Sequence, residues 1–179
     1  MKIKRVIVGN LETNCYIVYL ENGCVIIDPG DEALKIIETI NQSNVLTVLT
    51  THSHFDHVGA LAEILKYYNI KVNNYDLVDN LEVINTPGHT DDSVTYYFKD
   101  DDIMFCGDFI FKKTHGRTDL GGNNKKMIES LQKISQYPDK IRLYPGHGLS
   151  TTLEEEKKYF LNYIDELKKC WHFNDVMLG

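Results

Sequence analysis

The chain of 179 residues has no apolar run of the roughly 18 residues that a membrane-crossing helix needs, so no membrane span is expected. No secretory leader is expected either. After the basic Met1-Lys2-Ile3-Lys4-Arg5 only Val6-Ile7-Val8 precede Gly9-Asn10, which is too short for a leader's apolar core. Closely spaced cysteine pairs are absent: Cys15, Cys24, Cys106 and Cys170 are scattered, and they read as reduced, packed thiols of a cytoplasmic protein. The chain has no excess of positive charge either. Its formal charge is −7, and acids separate the lysine pairs at 112–113, 125–126 and 168–169, which argues against a nucleic-acid groove. No linker or low-complexity tract divides it, so residues 1–179 are expected to form one domain.

What is present is an ordinary globular composition, 42% hydrophobic and 25% charged, long enough for an independent core. The spacing predicts strands over Lys2–Val8, Cys15–Leu20 and Cys24–Asp28, with Glu21-Asn22-Gly23 as a hairpin turn. Ala33, Leu34, Ile36, Ile37 and Ile40 then form a helical stripe. A short strand at Val45–Leu49 leads to His52, and a helix is predicted from Val58 to Tyr68. The second part repeats the alternation, with strands at Leu81–Thr86, Val94–Phe98 and Ile103–Cys106, a helix over Lys125–Gln136 and a strand at Ile141–Tyr144. A last helix starts at Thr152, whose side chain can form a capping box with Glu155. Its face of Phe160, Leu161, Ile164, Leu167 and Trp171 reads as core. Strands with interspersed helices in two similar halves suggest sheets covered by helices.

Five of the seven histidines fall in three short motifs, Thr51-His52-Ser53-His54-Phe55-Asp56-His57, Pro87-Gly88-His89 and Pro145-Gly146-His147. Gly107-Asp108 adds a carboxylate at the end of an apolar strand. Imidazole and carboxylate suit zinc, iron or manganese, and the set is too large for one tetrahedral ion. His52 and His54, if extended, share a face and can grip one ion, while Asp56 and His57 at a helix start point elsewhere and can hold a second. The glycines before His89 and His147 would let backbone and metal approach closely. Any one of these histidines alone would be an unremarkable surface residue; their density excludes that for the set. Asp28 is expected to support the metal loop by hydrogen bonds rather than bind metal. His115 and His172 are expected to be loop and tail residues, and Tyr144 to pack its strand.

Together with Thr13-Asn14-Cys15-Tyr16, Ile27-Asp28-Pro29-Gly30, Val58-Gly59, Thr86-Pro87-Gly88-His89-Thr90, Cys106-Gly107-Asp108, Gly116-Arg117-Thr118-Asp119-Leu120 and Tyr144-Pro145-Gly146-His147-Gly148, these motifs resemble the metallo-β-lactamase fold superfamily, and within it the short glyoxalase II-like hydrolases. The resemblance implies an α/β (α+β) chain folded as a four-layer αββα sandwich with the site at one edge of the two sheets. By position it implies that His52, His54 and His89 bind one metal and that Asp56, His57 and His147 bind the other. Asp108 and a hydroxide would bridge them, with Asp56 and Asp108 as the catalytic carboxylates. Two departures stand out. Only 31 residues separate His57 from His89, where relatives carry a longer insert, so an open pocket is expected. Thr90 is followed by Asp91-Asp92 in place of Pro-Gly, which alters a turn or brings Asp92 close to the metal ligands. The chain also ends near where full-length glyoxalase II begins its glutathione-binding helices.

This reading implies a hydrolase with two divalent ions, zinc first and iron or manganese as alternatives, acting on a small anionic thioester such as an acylglutathione. Water on such ions ionises near neutral pH, and a thiolate leaves without acid help. Arg117, with Lys112 or Lys113, is the candidate for binding a substrate carboxylate, and a salt bridge from Arg117 to Asp119 is the competing role. An ester or lactone would also suit the site, and an iron-dependent persulfide dioxygenase is the alternative of another reaction class. The sequence sets no oligomeric state.

Overall fold

A computed structural model describes the backbone of residues 1–177 and the side chains of residues 1–165. The first half folds into strands β1 (Lys2–Val8), β2 (Thr13–Leu20) and β3 (Gly23–Ile27), helix α1 (Ala33–Ile40) and strand β4 (Val45–Leu49). They form a sheet in the order β1-β2-β3-β4, antiparallel except for the parallel β3–β4 pair. Two short helices follow, α2 (Phe55–Val58) and α3 (Leu61–Tyr68). The second half contributes β5 (Leu81–Asn85), β6 (Val94–Phe98), β7 (Ile103–Gly107), the small hairpin β8 (Ile110–Phe111) and β9 (Thr114–His115), and α4 (Asn124–Ile134). It closes with β10 (Arg142–Pro145), β11 (Thr151–Thr152) and α5 (Leu153–Met177). Its sheet runs β11-β10-β7-β6-β5, with β10 parallel to β7.

Strand alternation builds three cores. On the inner faces Tyr16, Val18, Val25, Ile27 and Leu49 of the first sheet meet Tyr96, Phe98, Ile103 and Phe105 of the second. The alternate residues Cys15, Ile17, Cys24 and Ile26 pack outward on Ile36, Ile40 and Ile64 of α1 and α3. In the second sheet Tyr97, Met104 and Cys106 pack outward on Met127, Leu131 and Ile134 of α4 and on Phe160 and Ile164 of α5. Both sheets are thus buried on both faces, and the layers stack αββα as the resemblance implied. Phe105 sits at the centre, edge-on to Tyr16 at 5.1 Å and stacked on Tyr144 at 5.2 Å.

Several elements differ from the sequence reading. The helix expected from Val58 to Tyr68 is broken at Gly59-Ala60, because the Ala60 N–H turns away to donate to the carbonyl of Pro29 at 3.0 Å. Asn123 caps α4, accepting from the Lys126 N–H at 3.0 Å. At the start of α5 only half the capping box forms: the Glu155 N–H donates to Thr152, but the Glu155 carboxylate accepts from the Thr151 hydroxyl instead. Leu161 is 43% exposed and not core; Leu167, Cys170, Trp171 and His172 lie outside the described side chains. His115 is half-buried on β9 with its ring 4.2 Å from Tyr163, not in a loop. Among the described residues no helix is long and apolar enough to cross a membrane.

The short segment between α3 and β5 runs along the free edge of the first sheet. Val72 bridges to Val48, and the Asn73 N–H donates to the Val48 carbonyl at 2.7 Å. Its few residues therefore cover a strand edge that would otherwise offer unpaired backbone groups. Because Phe105 joins both sheets, Phe105→Ala should destabilise the fold by about 3–5 kcal/mol, read as a lower urea midpoint.

Candidate metal centre

The ends of β3, β4, β5, β7 and β10 converge at one edge of the sandwich. Thr51 and His52 follow β4; His54 then adopts an extended conformation and caps α2, whose first turn carries Asp56 and His57. His89 follows β5, Asp108 follows β7, and His147 follows β10. Three groups that could hold a metal ion result, His52-His54-His89, His52-His57-Asp108 and Asp56-His57-His147, with donor atoms in each within 4.8 Å of one another.

In the first group His54 Nδ1 lies 3.2 Å from His52 Nε2 and 2.9 Å from His89 Nε2. Burial, and the neighbouring His57, push His52 down to about 4; burial and His89 lower His54 as well, so neither holds a charge at neutral pH. Three imidazole lone pairs facing one another need a cation between them. In the second group His147 Nε2 is 3.2 Å from Asp56 Oδ2, and His57 Nε2 is 3.6 Å from the same oxygen. Asp108 reaches both groups: Oδ2 is 3.6 Å from His89 Nε2 and 3.5 Å from His147 Nε2, and Oδ1 is 3.2 Å from His57 Nε2. His57 Nε2 and Asp108 Oδ1 are nonetheless buried without a partner in hydrogen-bond geometry. The donor set and these orphaned atoms fit two divalent ions.

The far nitrogen of each of four ligands is held. The Asp28 carboxylate accepts from the Thr51 N–H at 2.7 Å, from the Thr51 hydroxyl at 2.6 Å and from His57 Nδ1 at 2.9 Å. His52 Nδ1 is 3.1 Å from the Thr51 hydroxyl. His89 Nδ1 donates to the carbonyl of Arg117 at 2.7 Å, and His147 Nδ1 to that of Leu11 at 3.0 Å. These bonds turn Nε2 of each ring toward the cluster. Asp28 thus has the supporting role expected of it. Asn14 and Tyr16, named in the sequence only within a motif, hold the His147 loop through the Pro145 carbonyl at 2.9 and 2.7 Å. Tyr144 packs as expected, and no sequence signal marked the carbonyls of Leu11 and Arg117, since backbone groups carry none.

The two glycines before ligands differ in role. A side chain at Gly146 would meet Asp108 Oδ1 at 2.3 Å and His57 at 2.5 Å, so this residue does admit the ligands. Gly88 instead lies against the backbone of Met127 and admits α4. Asp91 and Asp92 form an exposed turn; partial burial works against the charge on Asp92, but the nearby Thr90 and Ser53 hydroxyls lower its pKa. Of the candidate substrate residues, Arg117 is 59% exposed and forks onto Asp119 at 2.7 and 2.6 Å. Lys112 and Lys113 sit exposed at the turn of the β8–β9 hairpin.

With this geometry in place, the likeness to known proteins is informative. Residues 8–78 and 72–147 match the sequence pattern of the metallo-beta-lactamase superfamily, and the chain belongs to that superfamily. It is 32% identical to the probable metallo-hydrolase YqgX of Bacillus subtilis, over 90% of this chain and 98% of that protein. It is 28% identical to a hydroxyacylglutathione hydrolase of Psychromonas ingrahamii, over 82% of this chain and 67% of the relative. Among solved structures, TTHA1623 in a di-iron-bound form superposes with a TM-score of 0.81 at 30% identity, covering 87% of this chain and 98% of that one.

Burial works against a charge on His57, but Asp28 and Asp108 overcome it and raise its pKa to about 10. The metal-free imidazole therefore carries two protons at neutral pH, and an ion at Nε2 must displace one. Zinc binding should release protons, and affinity should strengthen as pH rises from 6 toward about 9; calorimetry in buffers of differing ionisation enthalpy checks both. Replacing Asp28 with alanine frees Thr51 and His57, and zinc affinity should fall by about 10–100-fold in a chelator competition.

Proposed function

We propose that this protein is a dinuclear metal-dependent hydrolase that cleaves thioesters. The observation carrying the proposal is Asp108, whose carboxylate reaches both ligand groups and so makes them one centre rather than two sites. His52, His54 and His89 would hold one ion, Asp56, His57 and His147 the other, and Asp108 both. Bound there, the ions would lower the pKa of water to near neutrality and polarise a carbonyl, with no protein base required. The donors are nitrogen and oxygen only, which suits zinc, iron or manganese; the di-iron form of TTHA1623 keeps iron in view.

The protein's own residues then have defined parts. Asp28, Thr51 and the carbonyls of Leu11 and Arg117 keep the imidazoles aligned, so that little reorganisation accompanies the reaction. Among the described residues the cysteines are unsuited to nucleophilic chemistry, because burial pushes the Cys106 thiol up to about 12 and Cys24 to about 11. Buried thiols of this kind agree with a reducing cytoplasm. Both ligand groups are partly accessible, the first through His54 and the second through His147, which is 27% exposed. Arg117 is placed on the neighbouring loop; a substrate carboxylate would compete with Asp119 for its guanidinium, with Lys112 and Lys113 adding positive charge. An anionic carrier such as glutathione fits these groups, and the likeness to hydroxyacylglutathione hydrolases supports that choice.

The test is a thiol-release assay on acylglutathione and simpler thioesters, beside ester and lactone substrates, with zinc- and iron-loaded protein compared. The wild-type protein should release thiol, and His54→Ala should fall to the rate of metal-free protein while remaining folded. Full loading with two ions and no turnover of any thioester would sink the proposal.

A further inference from the structure

One buried carboxylate outside the ligand set has no part in the function proposed above. Glu156, in the first turn of α5, is only 1% exposed. Its Oε2 accepts from the backbone N–H of Lys113 at 2.6 Å, and its Oε1 takes the nearer share, at 2.6 Å, of the Thr151 hydroxyl proton that Glu155 shares at 2.9 Å. Lys113 stands at the turn of the β8–β9 hairpin with φ of 66°, a left-handed conformation that a lysine does not favour. An acceptor buried against that N–H holds the turn in place.

The hairpin is placed where its position matters to the metal centre. It begins two residues after Asp108 and ends two residues before Arg117, whose carbonyl holds His89. Its strands pair Ile110 with His115, and the Gly116 N–H donates to the carbonyl of Phe109 at 3.1 Å, so its base is closed. The Phe111 ring lies 6.2 Å from the ring of His147. One small element therefore connects Asp108, His89 and His147, which belong to different ligand groups, and Glu156 ties its tip to α5.

We infer that Glu156 is a positioning residue for the metal centre, a latch through which α5 fixes the hairpin and with it Asp108 and His89. The inference rests on the dinuclear reading of the site. A carboxylate suits the role because each of its two oxygens accepts one of these hydrogen bonds, whereas glutamine accepts only through its single oxygen.

The experiment measures zinc affinity by chelator competition and the visible spectrum of the cobalt-substituted protein, for the wild type, Glu156→Ala, Glu156→Gln and Ile164→Val. Glu156→Ala should weaken the less tightly held ion by at least about tenfold and change the cobalt spectrum, as loss of a ligand's supporting partner does. Glu156→Gln should recover part of that affinity. Ile164→Val, buried in the same helix, should lower thermal stability and leave ion affinity unchanged. Wild-type affinity and spectrum in Glu156→Ala, with only the melting temperature reduced, would overturn the inference. If Glu156→Ala does not fold, Thr151→Val, which removes the hydroxyl orienting the carboxylate, decides: a loss of about threefold or more supports the latch, and no loss overturns it. Because the readouts are affinity and spectrum, a wild-type protein holding two ions but hydrolysing no thioester sinks the thioesterase reading and not the latch. A wild-type protein holding fewer than two sinks both.

Discussion

The carboxylate of Asp28 is the interaction on which the site depends. It is buried where β3 ends, and both its oxygens are occupied by groups that follow β4: the Thr51 N–H, the Thr51 hydroxyl and the His57 ring. A buried anion persists only if donors or cations surround it. Here that requirement fixes the path of the chain from β4 into α2, and so places His52, His54, Asp56 and His57 at once. The parallel β3–β4 pairing is what brings Asp28 and Thr51 side by side.

The remaining ligands come from the other half of the sandwich, and contacts across the sheets hold them in reach. Asn14 and Tyr16 on β2 bind the Pro145 carbonyl ahead of His147, while the Gly146 N–H donates to the Gly107 carbonyl just before Asp108. The inner core around Tyr16, Phe105 and Tyr144 sets the separation of the sheets at this edge. The metals would then settle the lone-pair conflict among His52, His54 and His89 that the fold creates, and give partners to His57 Nε2 and Asp108 Oδ1.

Much of this was legible in the chain. Apolar runs rich in Val, Ile and Tyr marked β2 and β3, which are buried on both faces, and the helical stripe at Ala33–Ile40 marked α1 with its observed bounds. The His52–His57 motif marked the centre because so many donors in so few residues have no other common use. What could not be read depended on partners distant in sequence. The break at Gly59-Ala60 comes from the Pro29 carbonyl, the exposure of Leu161 from which face of α5 meets the sheet, and the burial of Glu156 from the hairpin it holds. Glu154, Glu155 and Glu156 are indistinguishable as a run of acids, yet only the last is buried.

The sequence by itself therefore determined the strands and helices, the donor types and the order in which candidate ligands arrive, since these follow from local composition, periodicity and side-chain chemistry, while the αββα layering was implied by the family resemblance. Only the tertiary structure decided which nitrogen each imidazole presents and that Arg117 faces Asp119 while its carbonyl serves His89. Those outcomes are set by backbone carbonyls and by contacts between residues far apart in the chain, and neither leaves a mark in the identity of any single residue.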